Sequence, residues 1–554
     1  QTLTRAGGIS TRSGIPSTDE VLNILGAYHF ERVFPVDPKT EKRTREAGMH
    51  LWYIVRFDKD TDLKEAARQL RKLGEISKIQ SNPTIRRAYD PKKKPLYLSA
   101  SDLQHVTRTS EGLTFNDPGL KHQWHYQNTG SYDFVKEGAE AIAGADVNCG
   151  EAWKLCKGDP TIIVAVLDEG VMWNHPDLIG NMWTNEAEEI GSTEDKDGNG
   201  YKGDRYGYNF VKNTGVISWT SAEDTGHGTH VAGTIAAVNG NNKGVGGIAG
   251  GDGTENSGVK IMTCQLFDGA YGCTLAAEAK AIKYAADNGA VILQCSWGYN
   301  SPDANEALGY TPGPKDEQDW ENQYPLEKEA LDYFIHNAGS PNGVIDGGLA
   351  IFASGNEYAP SSSYPAGYSK CISVSAIAAD FTPSSYTNYG EEITLCAPGG
   401  DGDYYGTPGV ADDEFAWEGK TQGLILSTAI KNGQPAYAYM EGTSMACPHV
   451  SGVAALGLSH AVKERRHFKV AEFIELMKET ANDQFYNFYD EKVEKLYYYN
   501  HTTFGAPPTL MNLIERKGKM GRLVDAGALL KAIGNHGSDM IVTNVYMATG
   551  NSTS

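Results

Sequence analysis

Three stretches of the chain carry the side chains that nucleophilic catalysis needs. Ser444 lies in Glu441-Gly442-Thr443-Ser444-Met445-Ala446-Cys447-Pro448-His449, between a Gly-Thr turn and an apolar run, Val450 to Leu458, that reads as a buried helix. His227 lies in Asp224-Thr225-Gly226-His227-Gly228-Thr229-His230, and Asp168 ends the apolar run Val164-Ala165-Val166-Leu167. A serine hydroxyl is a weak nucleophile at neutral pH. A neutral imidazole has to take its proton, and a buried carboxylate has to hold that imidazole in one tautomer. The start of a helix suits the negative charge that develops, because its first N–H groups lack intrahelical partners and its dipole favours anions. Each stretch also has a plainer reading. Ser444 would sit in a loop before a core helix, Asp168 would cap a helix, and His227 with His230 would bind a metal. The two histidines are spaced i,i+3 with no glutamate between them, unlike the i,i+4 zinc motif.

Taken together, and in the order Asp, His, Ser, these stretches resemble the subtilisin-like serine proteases, the subtilases. The resemblance implies an α/β fold of three layers around a central parallel sheet, and peptide hydrolysis through an Asp168-His227-Ser444 triad and an acyl-enzyme. It implies that Asn356, in Ala353-Ser354-Gly355-Asn356, donates to the oxyanion beside the Ser444 N–H; read alone, an amide after Gly is also a turn residue. Ser296-Trp297-Gly298 and Ser354-Gly355 match the walls of the substrate cleft and Ser363 its floor, with the polypeptide bound as an added strand. Trp297 is bulkier than the aliphatic residue usual there and is expected to narrow the neighbouring pocket. His230 and His449 match structural histidines. Glu169 departs from the pattern, in which a small hydroxyl residue follows the aspartate. Facing the site, its carboxylate would raise the pKa of the histidine; facing solvent, it would do nothing. Two other functions keep the same residues, namely peptide ligation or cyclisation and peptide binding without turnover.

An acidic loop, Glu194-Asp195-Lys196-Asp197-Gly198-Asn199-Gly200-Tyr201 with Asp204, has the make-up of a hard-cation site. Calcium takes several oxygen ligands, and glycines allow the sharp turn. The expected ligands are Asp195, Asp197, Asn199 and Asp204, holding a structural calcium with no catalytic metal. The loop is not an EF-hand, since its twelfth position is Tyr206. An acidic turn is the alternative. Asp177, in His175-Pro176-Asp177-Leu178, matches a second calcium ligand of many subtilases, near the loop Asn239–Gly244.

The elements that must position these residues alternate along the chain. Thr161–Leu167, Lys260–Leu266, Ala290–Gln294, Leu349–Ala353 and Cys371–Ala376 read as buried strands. His230–Val238, Ala276–Asn288, Glu327–Asn337 and Pro448–Leu458 read as helices. Such alternation predicts a parallel sheet with helices on both faces. Ligands of such sheets bind at the carboxyl ends of strands, and Asp168 stands at one. Residues 466–480 predict another helix, Gln484–Tyr499 an inserted surface hairpin or loop, and Gly521–Ala526 resembles the last structural motif of the family.

Ahead of this region, Leu51, Tyr53, Val55 and Phe57 alternate as in a half-buried strand. Leu63, Ala66, Ala67, Leu70 and Leu73 follow at helical spacing, with Thr61 or Asp62 as N-cap, and Ile76–Ile85 returns as extended chain. This order resembles the inhibitory propeptide of subtilases. The expected organisation is a partly flexible leader (1–46), a propeptide-like domain (47–90), a linker with the processing site (91–113), the catalytic domain (114–535) and a polar tail (536–554). A net charge of −21 disfavours nucleic acid or an acidic membrane as partner. No run reaches the roughly 18–20 apolar residues of a membrane helix. Gln1 opens a polar stretch with no apolar leader, so a signal peptide is expected to have been removed and the protein to be secreted, periplasmic or on the cell surface. Eight cysteines in 554 residues make no disulfide framework. Cys149 with Cys156, or Cys264 with Cys273, would be the pairs formed in an oxidising compartment.

Overall fold

The computed structural model describes residues 12–85, 95–98, 103, 113–269, 271–405, 420–490, 494–497 and 509–535. The first eleven residues of the expected leader, most of the linker and the tail lie outside them. Within these bounds the N-terminal region contains α1 (Pro16–Ile24), β1 (Ala27–Arg32), α2 (Glu41–Glu46), β2 (Tyr53–Phe57) and α3 (Leu63–Leu70), followed by β3 (Leu96–Tyr97). The larger region that follows has β4 (Ile163–Glu169), β5 (Gly207–Asn209), α4 (His227–Ala236), β6 (Lys260–Asp268), β7 (Tyr271–Gly272), α5 (Leu275–Asp287), β8 (Ile292–Cys295) and α6 (Pro325–Asn337). It continues through β9 (Leu349–Ala353), β10 (Ile372–Ile377), β11 (Leu395–Pro398), β12 (Ile425–Lys431), β13 (Gln434–Met440), α7 (Thr443–Lys463), α8 (Val470–Glu479), β14 (Arg522–Leu523) and α9 (Ala526–Gly534).

The central sheet runs β14-β11-β10-β9-β8-β4-β6-β5, with every neighbouring pair parallel, and β7 turns back antiparallel on β6. Its strands read as unbroken apolar runs because both faces are covered. Alternate residues of β4 divide between two cores. Val164 and Val166 pack with Val231, Val450, Val453 and Leu529 of α4, α7 and α9. Ala165 and Leu167 pack with Ile282, Leu331 and Phe334 of α5 and α6. Burying such side chains contributes about 1.5–3 kcal/mol each, so the strand that ends in Asp168 is held from both sides.

Helix α7 begins at Thr443, five residues before the expected start. A proline inside a helix removes one i→i−4 bond and usually stops it, which made Pro448 read as a first residue. Here the acceptor freed by Pro448 is the Ser444 carbonyl, and the Ser296 hydroxyl donates to it at 2.8 Å. The β12–β13 hairpin, absent from the expected elements, lies over α4. Ser427 Oγ and Thr428 Oγ1 donate to the carbonyls of His230 and Thr229, and His230 Nε2 lies 3.0 and 2.9 Å from the carbonyls of Ile425 and Ala438. That is a structural use of His230, not a metal site.

Where a leader was expected to run to residue 46, the chain is already folded from Pro16. β1 supplies the antiparallel partner that β2 needs. Asp62 is the N-cap of α3, accepting from Lys64 N and Glu65 N. Residues 76–83 form no strand; only Thr84 makes a bridge, to Thr274. The N-terminal elements sit on α5 and α6. Arg43 pairs with Asp287 at 2.7 Å and donates to Tyr333 OH and Asn337 O. Trp52 Nε1 donates to Glu329 at 2.5 Å, and Leu326 N donates to Gln80 Oε1. Residues 82–85 then run along the end of β7. Ile85 N donates to Cys273 O at 2.8 Å, Leu275 N to Pro83 O, and Ala276 N to Asn82 Oδ1.

Between α5 and α6 two carboxyl groups, Glu278 and Glu327, are fully buried. Glu327 accepts from Trp320 Nε1 at 2.8 Å and Tyr299 OH at 3.0 Å. Burial first, and the charge of Glu327 second, push the Glu278 carboxyl well above its ordinary value. All eight cysteines are free thiols. The β6–β7 register puts Cys273 opposite Leu266 and away from Cys264, and Cys156 Sγ turns to Gly158 O. The segment expected as a surface insertion is partly core: Phe485 and Tyr489 are buried with Phe381, and residues 494–497 pair with 509–512.

Candidate active site

Asp168 stands at the carboxyl end of β4, where the pairing with β6 shifts register: Asp168 faces Gln265 and Glu169 faces Phe267, which leaves Leu266 of β6 over. Its carboxylate accepts the Glu169 N–H at 2.6 Å and lies 2.8 and 2.9 Å from His227 Nδ1. Since a carboxylate only accepts, Nδ1 carries the proton and Nε2 is the basic nitrogen. His227 is the first residue of α4, after Gly226 at φ +73°. Gly228 has no room for a side chain, because a Cβ there would lie 2.2 Å from the Glu169 carbonyl.

Ser444 occupies the first turn of α7. Its hydroxyl donates to Ser296 O at 3.1 Å. Ser296 meets Ser444 twice, since its own hydroxyl donates to the Ser444 carbonyl and accepts from Gln294 Nε2 at 2.7 Å. Asn356 follows β9. Its Oδ1 accepts Thr443 N and Thr443 Oγ1, both at 2.8 Å. With the amide oxygen engaged, Nδ2 is directed away from Thr443, and a Cβ on Gly442 would lie 3.8 Å from it. Two N–H donors, from Asn356 and from the Ser444 main chain, are thus brought to one place.

Ser296, Trp297, Gly298, Gly355, Asn356 and Ser363 line one cleft with Ser444. Ser354 does not; it is buried behind the wall, where its carbonyl accepts from Ser363 N and Asn388 Nδ2. Trp297 lies against Phe352 and donates its indole N–H to Leu167 O at 2.8 Å, which ties its ring to the sheet. Glu357 also lines the cleft and was not anticipated, although it directly follows Asn356. It accepts from Ser301 N at 2.7 Å and Asn388 Nδ2 at 3.0 Å, and burial raises its pKa. His449 is structural. Its Nδ1 donates to Met445 O and its Nε2 meets His125 Nδ1, both at 2.7 Å, and burial lowers it to about 3.

The acidic loop divides the expected ligands. Carboxylate oxygens of Asp197, Asp204 and the unanticipated Glu188 lie within 4.8 Å of one another. Asp195 instead shapes the turn, accepting from Gly198 N and Gly200 N. Asn199 donates to Asp204 and accepts from Tyr201 N. Burial raises Asp204 to about 7. Asp177 belongs to a different place: it accepts from Asn241 Nδ2 and Val245 N, and burial raises it to about 8.

The Subtilase family model matches residues 159–499, and the chain belongs to the subtilase family. It is 30% identical over 369 residues to halolysin of Haloferax mediterranei, covering 67% of this chain and 54% of that protein. It is 30% identical over 352 residues to a calcium-dependent protease of Nostoc sp., covering 61% of this chain and 43% of that one. The chain thus spans about half the length of these relatives. The crystal structure of fervidolysin from Fervidobacterium pennivorans shares the fold, with a TM-score of 0.52, 21% identity and coverage of 93% of this chain and 60% of that one.

Proposed function

We propose that the chain is a serine endopeptidase. The observations that carry this are the Asp168–His227 pair, in which the carboxylate holds the Nδ1 proton of the imidazole, and the cleft that Ser444 lines together with Asn356. Ser444 Oγ attacks the scissile carbonyl as His227 Nε2 takes its proton, and Asp168 stabilises the imidazolium. Asn356 Nδ2 and Ser444 N receive the oxyanion. His227 then gives the proton to the leaving amine, and water cleaves the acyl-enzyme by the same steps in reverse. Substrate is a polypeptide added as a strand near β7, the edge already met by Thr84 and Ile85. A fluorophosphonate probe should label the protein at Ser444, and Ser444→Ala should abolish both labelling and casein cleavage. Cleavage that persists in that variant refutes the reading.

Three finer assignments accompany it. Residues 16–85 act as an inhibitory segment, removed by cleavage before the catalytic domain of residues 114–535; their seat on α5, α6 and β7 supports this. Glu188, Asp197 and Asp204 hold a structural calcium, supported by their convergence and by the kinship with the Nostoc protease. The protein works outside the cytoplasm. Among the described residues no helix is long and apolar enough to cross a membrane.

A further inference from the structure

Glu169 faces neither the imidazole ring nor solvent. It is buried, 2% exposed, and its carboxylate accepts the His227 main-chain N–H at 3.0 Å, Thr225 N at 3.2 Å and Thr225 Oγ1 at 3.1 Å. Its own N–H donates to Asp168 Oδ1. One residue therefore holds both members of the Asp–His pair, the carboxylate from one side and the histidine main chain from the other. Helix α4 needs such a partner, because its N-cap is Gly226, which brings no side-chain acceptor. A negative charge also belongs at that end of a helix.

We propose that Glu169 is a positioning residue for the catalytic base: reaching across from β4, its carboxylate takes the place of the missing cap on α4 and fixes the backbone from which the His227 ring is presented to Asp168 and Ser444. The proposal rests on the peptidase reading. It also assigns an electrostatic task, since a fixed carboxylate beside the first turn of α4 favours the imidazolium that forms during proton transfer. Charged or titratable groups at the base include Asp168 on the ring and Glu169 on the main-chain N–H, both from β4, His230 from the next turn of α4, and Asp224 from the preceding turn, beside Glu169. Asp224 feels Glu169, but its own carboxylate is committed to Ser221 N and Gly269 N.

The test is the pH dependence of kcat and KM for a peptide anilide, in the full chain carrying Glu169→Gln or Glu169→Ala. Glu169→Ala removes the acceptor and should lower kcat roughly 10- to 100-fold with KM changed less than about twofold, as expected when a catalytic group is displaced slightly. Glu169→Gln keeps an amide oxygen for the His227 N–H and should recover most of kcat. Both variants lose the charge, so the acid limb of kcat/KM should move down by about half a unit or more. A merely structural cap would lower the melting temperature and leave that limb in place. An unmoved limb in Glu169→Gln overturns the proposal, and that variant carries the test should Glu169→Ala fail to fold. Absence of turnover and of Ser444 labelling in the unmodified protein would instead refute the peptidase reading.

Discussion

Replacing Glu278 by glutamine should stabilise the protein, and more so as pH rises. Glu278 is buried between α5 and α6 beside Glu327, and its pKa is raised well above 4.5. In the unfolded chain it loses its proton near 4.5. Above that pH the native state binds a proton that the unfolded state does not, so stability falls as pH increases, by about 1.4 kcal/mol for each unit over which the native proton is kept. Below 4.5 both states are protonated and the contribution vanishes. Glutamine has no proton to lose, and its amide N–H can donate to Glu327, which already accepts from Trp320 and Tyr299. The melting temperature of Glu278→Gln minus that of the unmodified protein should therefore be smallest near pH 4.5 and grow as pH rises above it, until the native carboxyl loses its proton. Titrating groups other than the neighbouring Glu327 are common to both proteins and cancel in the difference. A difference that stays constant between pH 5 and pH 8 would refute the upward shift of Glu278.

Two further outcomes follow from the site. Asn356→Ala should reduce kcat by about 10²–10³, the range known for the equivalent loss in subtilisin, with little change in KM; a change confined to KM would make Asn356 a turn residue. Chelation of calcium should lower the melting temperature, by an amount set by a stabilisation of about 2.7 kcal/mol at a hundred times Kd. Asp197→Ala should abolish the response, and the gain from added calcium should shrink below about pH 7, where a proton competes for Asp204. Equal melting temperatures in EDTA and in millimolar calcium would leave the loop an acidic turn.

The buried strands were the most legible part of the sequence. Leu349–Ala353 is found with the expected bounds, because a strand covered on both faces is a continuous apolar run. Asp168, His227 and Ser444 could be picked out because each lies in a long local motif beside the end of a strand or helix. What escaped depends on contacts between distant segments. The start of α7 was hidden because Pro448 reads as a stop until Ser296, 148 residues before Ser444, is seen to take the spare acceptor. Glu188 lies outside the acidic loop, and it reaches Asp197 and Asp204 because its carboxylate accepts the main-chain N–H groups of Lys196, Asp197 and Gly203. The role of Glu169 could not be read because the N–H it accepts belongs to a helix 58 residues away. One miss had a local signal: Asn432-Gly433, both at positive φ, is the turn of the β12–β13 hairpin.

The exchange between Pro448 and Ser296 also limits how this chain can vary. Changing Pro448 alone to alanine returns an N–H that competes for the Ser444 carbonyl and strands a buried hydroxyl. Changing Ser296 alone to alanine leaves that carbonyl without a donor. Each single step costs on the order of 1–3 kcal/mol beside Ser444, whereas the two together restore an ordinary helical bond and leave only the Gln294 Nε2 donor to find a new acceptor. The pair therefore forms a fitness valley: the two positions drift together or not at all, and a descendant that had lost the proline should have lost the serine with it.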